Sequence, residues 1–217
     1  MKSSRGMPPI SKLAMKDILG GYGILADEEL CVKILAYMSL LEIWNRRISL
    51  TKITDPASVL KFHFGESFFA ASALSIVDGR LADVGTGAGF PGIPLKMICP
   101  ELQVTLIESN LKKCAFLAEV IRNLNLDGVR IVKTRMENLV SSEGVFDFVS
   151  ARAIGQAQEL LRFADCFLSP SGKIILWLGD ADASLISSKF THWRWYPSIR
   201  IPFSDLRSLL VGERLSS

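Results

Sequence analysis

Three closely spaced glycines follow a short apolar run, at Gly85, Gly87 and Gly89. The apolar run predicts a strand that ends at Val84, and a helical pattern follows the glycines. Glycines in such a turn adopt backbone angles, and permit close approaches, that a side chain would block. The sequence therefore predicts a ligand that lies against bare backbone. Gly87, Gly89 and Gly92 also satisfy G-x-G-x-x-G, the fingerprint of dinucleotide sites, so the glycines alone leave the ligand open.

Acidic residues near three strand ends help to distinguish between ligands. Asp83 lies two residues before Gly85, where a carboxylate suits a cationic ligand better than a pyrophosphate. Glu108 follows the second predicted strand, where a carboxylate can accept hydrogen bonds from both hydroxyls of a ribose. Arg135–Asn138 follows the third strand, where a backbone amide and an acidic side chain could hold an adenine edge. The pattern favours S-adenosylmethionine, whose ammonium and sulfonium groups are positive, over NAD.

Longer segments around these positions resemble a known protein family. The matching segments are Asp83–Pro94, Ile107–Asn110 with Lys112, Lys113, Phe116 and Leu117, Phe146–Ala153, Trp44–Thr51, and His63 with Glu66 and Ser67. Together they resemble the ribosomal small-subunit methyltransferase G family, first named glucose-inhibited division protein B. The G-F-P-G-I-P extension and the S-A-R-A strand end are far more specific than the glycines. The resemblance covers roughly residues 40 to 180.

The resemblance implies a class I methyltransferase that moves the methyl group of S-adenosylmethionine to N7 of a guanine. That guanine lies in the decoding-region loop of bacterial 16S ribosomal RNA. The resemblance assigns the ribose to Glu108 and places Met136 and Glu137 beside the adenine. With the loop residues included, the expected cofactor contacts are Asp83, Gly85, Gly87, Gly89, Phe90, Glu108, Met136, Glu137 and Arg152.

A guanine N7 carries a lone pair and no proton, so its methylation needs alignment and desolvation rather than a general base. We therefore predict no catalytic triad and regard Arg152 as the positioning candidate. Its guanidinium could contact a phosphate or the cofactor carboxylate, and the alternative is an ion pair with Glu108, Asp83 or Glu137. His63 is predicted to be a hydrogen-bonded structural histidine and is kept as an RNA-binding candidate.

Four positions depart from the family pattern. Ser49 stands where Asn is usual, and Glu66 and Glu108 stand where Asp is commoner; these changes are chemically mild. Leu178 precedes Gly179, where the family tends to have Lys. The missing lysine keeps open the hypothesis of a ribosome-binding factor that has lost methyl transfer. The region from residue 181 matches poorly, and no role is carried over to it.

Basic residues indicate where RNA could bind. The candidates are Arg46, Arg47, His63, Lys112, Lys113 and Arg194. From Lys189 onward, five basic residues stand against Asp205 and Glu213, with three aromatic residues between positions 193 and 196. Basic and aromatic residues together suit phosphate contact and base stacking. The alternative is that these aromatic side chains fill the core.

The elements that must position these residues change in type near residue 80. Before it, Asp27–Arg47 and a segment from Asp55 towards Val77 have helical patterns. After it, short apolar runs alternate with helical intervals, which predicts a parallel sheet covered on both faces. The runs are Leu81–Val84, Val104–Ile107, Val129–Val132, Phe146–Ala151 and Lys173–Leu178, and the intervals are about 91–99, 109–125, 134–140 and 155–168. Trp193–Ile201 and Leu209–Arg214 predict a terminal antiparallel hairpin.

The predicted fold is therefore α/β, a Rossmann-like class I methyltransferase with a mostly parallel central sheet. We expect two parts, an N-terminal helical cap over residues 1–78 that packs on the sheet, and a methyltransferase domain over 79–217. The composition, 49% hydrophobic and 22% charged over 217 residues, excludes a disordered, collagenous or coiled-coil chain.

The net charge of +3 indicates no strong preference for a polyanion. The tract from Lys189 holds five basic and two acidic residues, 5 − 2 = +3, so we expect a small and local RNA footprint. Because no apolar stretch is long enough to span a bilayer and no signal sequence is evident, we expect a soluble, cytoplasmic monomer. Its expected partner is 16S ribosomal RNA or the small ribosomal subunit particle. The rival hypotheses are a methyltransferase with a small-molecule or protein acceptor and an NAD-dependent oxidoreductase.

Overall fold

A single mixed sheet organises the chain in the computed structural model, which describes residues 10–140, 143–152 and 156–215. The strand order is β3-β2-β1-β4-β5-β8-β6, and β7 also pairs with β8. The five parallel strands are β1 (Arg80–Val84), β2 (Gln103–Ile107), β3 (Val129–Val132), β4 (Phe146–Arg152) and β5 (Leu168–Gly179). Order reverses between β1 and β4, which is where open α/β sheets bind their ligands.

The sheet ends in antiparallel strands. β8 (Arg207–Arg214) pairs antiparallel with β5, and on its other side it pairs with β6 (Trp193–Trp195) and β7 (Ile199–Arg200). The sequence predicted one strand over Trp193–Ile201, but the structure has two short ones. Pro197 lies between them, and proline has no backbone N–H to donate to a ladder.

Helices precede the first strand. They are α1 (Lys12–Gly20), α2 (Glu28–Asn45), α3 (Pro56–Val59), a π-helix (Leu60–Gly65) and α4 (Glu66–Leu74). The side chains of Asp27 and Asp55 accept hydrogen bonds from Leu30 N and Ser58 N, so each aspartate caps a helix as its residue type favours. The π-helix interrupts the helical segment that the sequence predicted as one regular helix.

The remaining helices follow the parallel strands. They are α5 (Gly92–Ile98), α6 (Leu111–Asn123), α7 (Ala157–Phe167) and α8 (Asp180–Lys189). α1 and α8 are additions to the predicted elements. The predicted helical interval 134–140 is wrong, because the structure has only a 3-10 turn at Met136–Asn138 there. Ala153 of the S-A-R-A segment and residue 155 lie outside the described residues.

Alternate side chains of the buried strands enter two hydrophobic cores, one on each face of the sheet. Ile175 and Trp177 of β5 join α1, α2, the π-helix, α4, α5 and α6 in one core. Ile174 and Leu176 join α7 and α8 in the other. This three-layer arrangement confirms the predicted α/β class with a mostly parallel sheet. The proposed division near residue 78 stays a prediction.

Leu178 is 4% exposed and packs in the second core, so the position where the family tends to have Lys holds an apolar core residue here. Within the described ranges, none of the helices is long and apolar enough to cross a membrane.

Candidate functional site

The glycine loop leaves the carboxyl end of β1 and is tied to β2, since Gly85 N donates to Ile107 O over 2.9 Å. Gly85, Gly87 and Gly89 have φ of +65°, +61° and +88°, a region that favours glycine. A Cβ on Gly85 would meet nothing within 4 Å, whereas one on Gly89 would meet the Tyr37 hydroxyl at 2.3 Å. The first glycine therefore keeps space open for a ligand, and the third allows the loop to pack on α2.

Asp83 lies beneath this loop. Its Oδ2 accepts hydrogen bonds from Thr86 Oγ1 at 2.6 Å and Gly92 N at 2.9 Å, and its Oδ1 accepts one from Ser150 Oγ at 3.0 Å. The side chain is fully buried, and burial raises its pKa to about 6 although these hydrogen bonds favour the ionised form. Asp83 therefore joins β1, the loop, α5 and β4. Direct contact between Asp83 and a cofactor stays a prediction, since the residue does not line the cleft described next.

An open cleft of about 190 Å³ lies where β1, β2 and β3 end. Its lining residues are Val84, Gly85, Ile107, Glu108, Ser109, Thr134, Arg135, Met136, Glu137 and Gln156. The structure thus brings together four of the predicted cofactor residues, Gly85, Glu108, Met136 and Glu137. Thr134 and Gln156 were not predicted. Gln156 follows the S-A-R-A segment, but nothing in its local sequence distinguishes it from a surface glutamine.

Glu108 is one of the two acidic residues that line this cleft. Its Oε2 accepts a hydrogen bond from Gly87 N at 3.1 Å, and its Oε1 accepts one from Asn110 N at 2.8 Å. Asn110 in turn caps α6 through Lys112 N and Lys113 N. The carboxylate is therefore held in a fixed orientation, and its remaining lone pairs can accept two hydroxyl hydrogen bonds.

Phe90 lies in an aromatic cluster rather than on the cleft wall. Its ring stacks on Tyr37, with 5.3 Å between centroids, and on His63, with 4.6 Å. The Tyr37 hydroxyl donates to Ala88 O of the loop. Phe90 is 6% exposed, so its packing fixes the path of the chain after the glycines. A direct contact between Phe90 and the cofactor stays a prediction.

His63 belongs to the π-helix and has a structural environment. Its Nε2 lies 2.8 Å from Thr51 Oγ1, and its Nδ1 is buried with no hydrogen-bond partner among the described residues. Burial, followed by the charges of Arg152 and Arg207, lowers the pKa of His63 to about 3. A neutral, packed histidine agrees with the structural hypothesis, and the RNA-binding hypothesis stays a prediction.

Arg152 directs its guanidinium to the π-helix. Nη1 donates to Phe62 O at 2.9 Å, and Nη2 donates to Ser67 Oγ at 2.9 Å and His63 O at 3.3 Å. Its nearest carboxylate is Glu66, at 3.9 Å. The alternative predicted an ion pair with Glu108, Asp83 or Glu137, and this prediction is wrong. The carboxylate that pairs with Arg152 is Glu66, which directly follows the π-helix.

Glu66 is a buried carboxylate shared by two arginines. It is 1% exposed, and its Oε1 lies 2.9 Å from Nη2 of Arg207 at the start of β8. Burial raises the pKa of Glu66, and the charges of Arg152 and Arg207 oppose that rise. The Trp177 indole N–H donates to Glu66 O at 3.0 Å. The three charged side chains thus connect α4, β4 and β8 at the edge where the parallel strands end.

The predicted RNA-binding residues lie on different surfaces. Arg46 is exposed and pairs with Glu42 at 2.6 Å, Arg47 and Lys112 are exposed, and Lys113 is half-buried. Arg194 pairs with Glu213. Glu213 is the strand partner of Lys173, which lies toward the end of β5 that is far from the cleft. Trp193 is 3% exposed and belongs to the core, as the structural alternative predicts for it, whereas Tyr196 is 38% exposed.

Comparison with known proteins places this geometry in a family. The family model described as rRNA small subunit methyltransferase G matches residues 30–194. "Ribosomal RNA small subunit methyltransferase G" of Stenotrophomonas maltophilia strain K279a is 37% identical over 177 residues, covering 82% of this chain and 81% of that protein. The protein of the same name from Xanthomonas campestris pv. campestris strain B100 is 34% identical over 188 residues, covering 87% and 86%.

The solved structures agree on the fold. A SAM-dependent methyltransferase from Aquifex aeolicus superposes with a TM-score of 0.61 at 16% identity, covering 74% of this chain and 94% of that one. The resemblance that the loop and strand-end residues indicated is confirmed. The chain therefore belongs to the rRNA small subunit methyltransferase G family and is an S-adenosylmethionine-dependent methyltransferase.

Proposed function

We propose that this chain transfers the methyl group of S-adenosylmethionine to N7 of a guanine in the decoding-region loop of 16S ribosomal RNA. It acts as a cytoplasmic monomer on 16S RNA or on the small ribosomal subunit particle. The observation that carries the proposal is the oriented carboxylate of Glu108 beside the open backbone at Gly85, in a chain whose family model names small-subunit ribosomal RNA.

The cleft residues fit the nucleoside half of the cofactor. Space stays open beside Gly85 because that residue has no Cβ, and a ligand there can approach the backbone. Glu108 would accept hydrogen bonds from the ribose hydroxyls, while Met136 and Glu137 would flank the adenine. S-adenosylmethionine, when bound, supplies an electrophilic methyl group on a sulfonium centre. The residues of this chain therefore have to bind the cofactor, orient it toward the guanine and shield both from water.

No residue in this arrangement has to remove a proton from guanine N7. The neutral, buried His63 agrees with this requirement, because its low pKa makes it a poor base. Arg152 acts on the reaction by holding the π-helix against the end of β4. His63 extends from that π-helix to Phe90, which follows the glycine loop. Arg152 is thus a positioning residue whose hydrogen bonds hold the π-helix, and with it His63 and Phe90, behind the glycine loop.

Two assays separate the proposed function from its rivals. Calorimetric titration should give saturable binding of S-adenosylmethionine, whereas binding of NAD alone would support the oxidoreductase. Labelled S-adenosylmethionine should then be offered with unmodified 16S RNA, unmodified small-subunit particles, and free small-molecule or protein acceptors. We expect transfer to the ribosomal substrates. Preferred transfer to the free acceptors would contradict the proposal, and cofactor binding without any ribosomal product would indicate a binding factor.

A further inference from the structure

The connection between β7 and β8 lies at the same edge of the sheet as the cofactor cleft. Arg207 at the start of β8 pairs with Gly179 at the end of β5, and Arg152 at the end of β4 pairs with Trp177. Because β1, β2, β4 and β5 are parallel, the ends of all four strands meet at this edge. The segment 201–206 is therefore positioned on the side of the molecule that holds the reaction.

An exposed aromatic ring occupies this connection. Phe203 is 57% exposed and has a φ of +59°, a conformation that bulky residues rarely adopt. Its ring packs on Tyr22 in a T-shaped arrangement, with 5.2 Å between centroids, and against Gly21, where a Cβ would lie 2.2 Å from Phe203 Cζ. Leu206 beside it is 72% exposed. Phe203 is thus held in a strained backbone conformation, packed beside Gly21 and Tyr22, with more than half of its surface exposed.

One cation lies over this ring, and a second lies over Phe62, the residue after Lys61 in the chain. Lys61 Nζ lies 5.7 Å from the centroid of Phe203, and the guanidinium of Arg207 lies 5.0 Å from the centroid of Phe62. Arg207 is paired with Glu66, whereas in the described part of the chain no carboxylate lies within ion-pair distance of Lys61. An exposed aromatic ring with an unpaired ammonium group over it matches a nucleotide, which offers a base to pack on the ring and a phosphate to neutralise the charge.

The π-helix connects this surface to the candidate site. Lys61 contacts Phe203, and two residues later His63 stacks on Phe90 beside the glycine loop. The backbone carbonyl of Lys61 accepts a hydrogen bond from the Tyr22 hydroxyl at 3.0 Å. Tyr22, on which Phe203 packs, is therefore attached to the same turn of the π-helix. The π-helix thus links the Phe203 ring to the residues that pack behind the glycine loop, so we expect the nucleotides that flank a target base to extend toward Phe203.

We propose that Lys61, Phe203 and Arg207, named here the Phe203 surface, bind single-stranded RNA next to the target guanine. A base stacks on the ring of Phe203, and the phosphates beside it face Lys61 and Arg207. This proposal rests on the proposed function and names the part of the RNA substrate that the fold holds outside the cleft. It also supplies a local basic and aromatic footprint on a chain whose net charge is only +3.

The test uses the full chain with Phe203→Leu, Phe203→Trp and Lys61→Gln, and Tyr196→Leu as the matched control. Tyr196 is also an exposed aromatic residue with a lysine over its ring, Lys173 at 5.8 Å, but it lies away from the cleft edge. The readouts are the KM for unmodified 16S RNA, kcat, and the calorimetric Kd for S-adenosylmethionine. Each variant's thermal unfolding is measured alongside.

We expect Phe203→Leu to raise the KM for RNA about fivefold or more, as the loss of one stacked base would, without changing the cofactor Kd. Phe203→Trp should restore the KM to within about twofold, and its added fluorescence should be quenched by RNA. Lys61→Gln should weaken binding and reduce the salt dependence by about one counterion. Tyr196→Leu should behave as the wild type.

If the KM for RNA is unchanged in both Phe203→Leu and Lys61→Gln, the proposed RNA-binding role of the Phe203 surface is wrong. The proposed function would still stand, provided that the wild-type protein transfers the methyl group. A loss confined to assembled particles, with normal affinity for naked RNA, would also overturn it and indicate a ribosomal protein contact. Absence of transfer by the wild type to either ribosomal substrate would overturn the proposed function, and the RNA assignment with it.

Discussion

The carboxylate of Glu108 accepts a hydrogen bond from the backbone N–H of Gly87, with 3.1 Å between Oε2 and N. This contact joins the end of β2 to the loop that leaves β1, so the acid and the bare backbone are oriented as one unit. Glu108 is 7% exposed and lines the cleft. From this contact we predict which substitutions should weaken cofactor binding and which should lower only the stability of the fold.

Glu108→Ala should weaken S-adenosylmethionine binding by about 10- to 100-fold, because hydrogen bonds to a charged group contribute about 1.5–3 kcal/mol. Calorimetry measures the change. Glu108→Asp keeps the charge at the residue type that is commoner in the family, and we expect it to retain binding within about fivefold. Wild-type affinity in the alanine variant would show that the ribose lies elsewhere.

Gly85→Ala and Gly23→Ala form a matched pair. Both glycines have positive φ, +65° and +76°, and a Cβ at either would meet nothing within 4 Å. Each substitution should therefore cost about 1–2 kcal/mol of unfolding free energy from the backbone alone. Only at Gly85 does the open space belong to the cleft, so only Gly85→Ala should weaken cofactor binding, by about tenfold or more. Equal affinities for the two variants would count against this position of the ligand.

Gly87→Val should have a stronger effect. The residue has a φ of +61° and donates to Glu108, so a branched side chain strains the loop and blocks the approach of a ligand to the backbone. We expect cofactor binding to be lost in calorimetry while circular dichroism still reports the folded sheet. Unchanged affinity would mean that the cofactor does not touch this loop.

Asp83→Asn should change how stability depends on pH. Burial raises the pKa of Asp83 from 3.8 to about 6 in the folded protein, so between these values the unfolded chain is ionised while the folded chain keeps its proton. The contribution of this group therefore falls as pH rises from about 4 to about 6, by about 3 kcal/mol in unfolding free energy. Denaturant unfolding of both proteins across this range should show the difference, and parallel curves would refute it.

Arg152→Lys should separate positioning from cofactor binding. A lysine ammonium has its donors on a single nitrogen and lacks the planar two-nitrogen fork that serves Phe62 O, His63 O and Ser67 Oγ, and Glu66 would be left with a weaker partner. We expect about 1–3 kcal/mol lower unfolding free energy and a kcat reduced at least tenfold, with the cofactor Kd changed less than about threefold. A Kd that rises as much as kcat falls would place the guanidinium on the cofactor itself.

The sequence was sufficient for the parallel strands and for placing Gly85, Glu108, Met136 and Glu137 in one cleft. Parallel strands buried on both faces are short apolar runs, and Gly85 and Glu108 stand at fixed offsets from their ends. The π-helix was beyond such reasoning, because its carbonyls Phe62 O and His63 O are satisfied by Arg152, about 90 residues later in the chain. Glu66 and Arg207 likewise meet only after folding. The apolar residues of α8 do not recur on one face, so its sequence has no helical periodicity from which the helix could be predicted.

The most direct test of the central claim is the mapping of the methylated nucleotide. Purified protein and labelled S-adenosylmethionine are incubated with small-subunit particles and 16S RNA that lack the modification, and the product is analysed by chemical cleavage at 7-methylguanosine. We expect label in one guanine of the decoding-region loop, and none with Gly87→Val. The claim that this chain methylates guanine N7 in 16S RNA would be contradicted by label at another base or atom. It would also be contradicted by no label in either substrate while cofactor binding is intact.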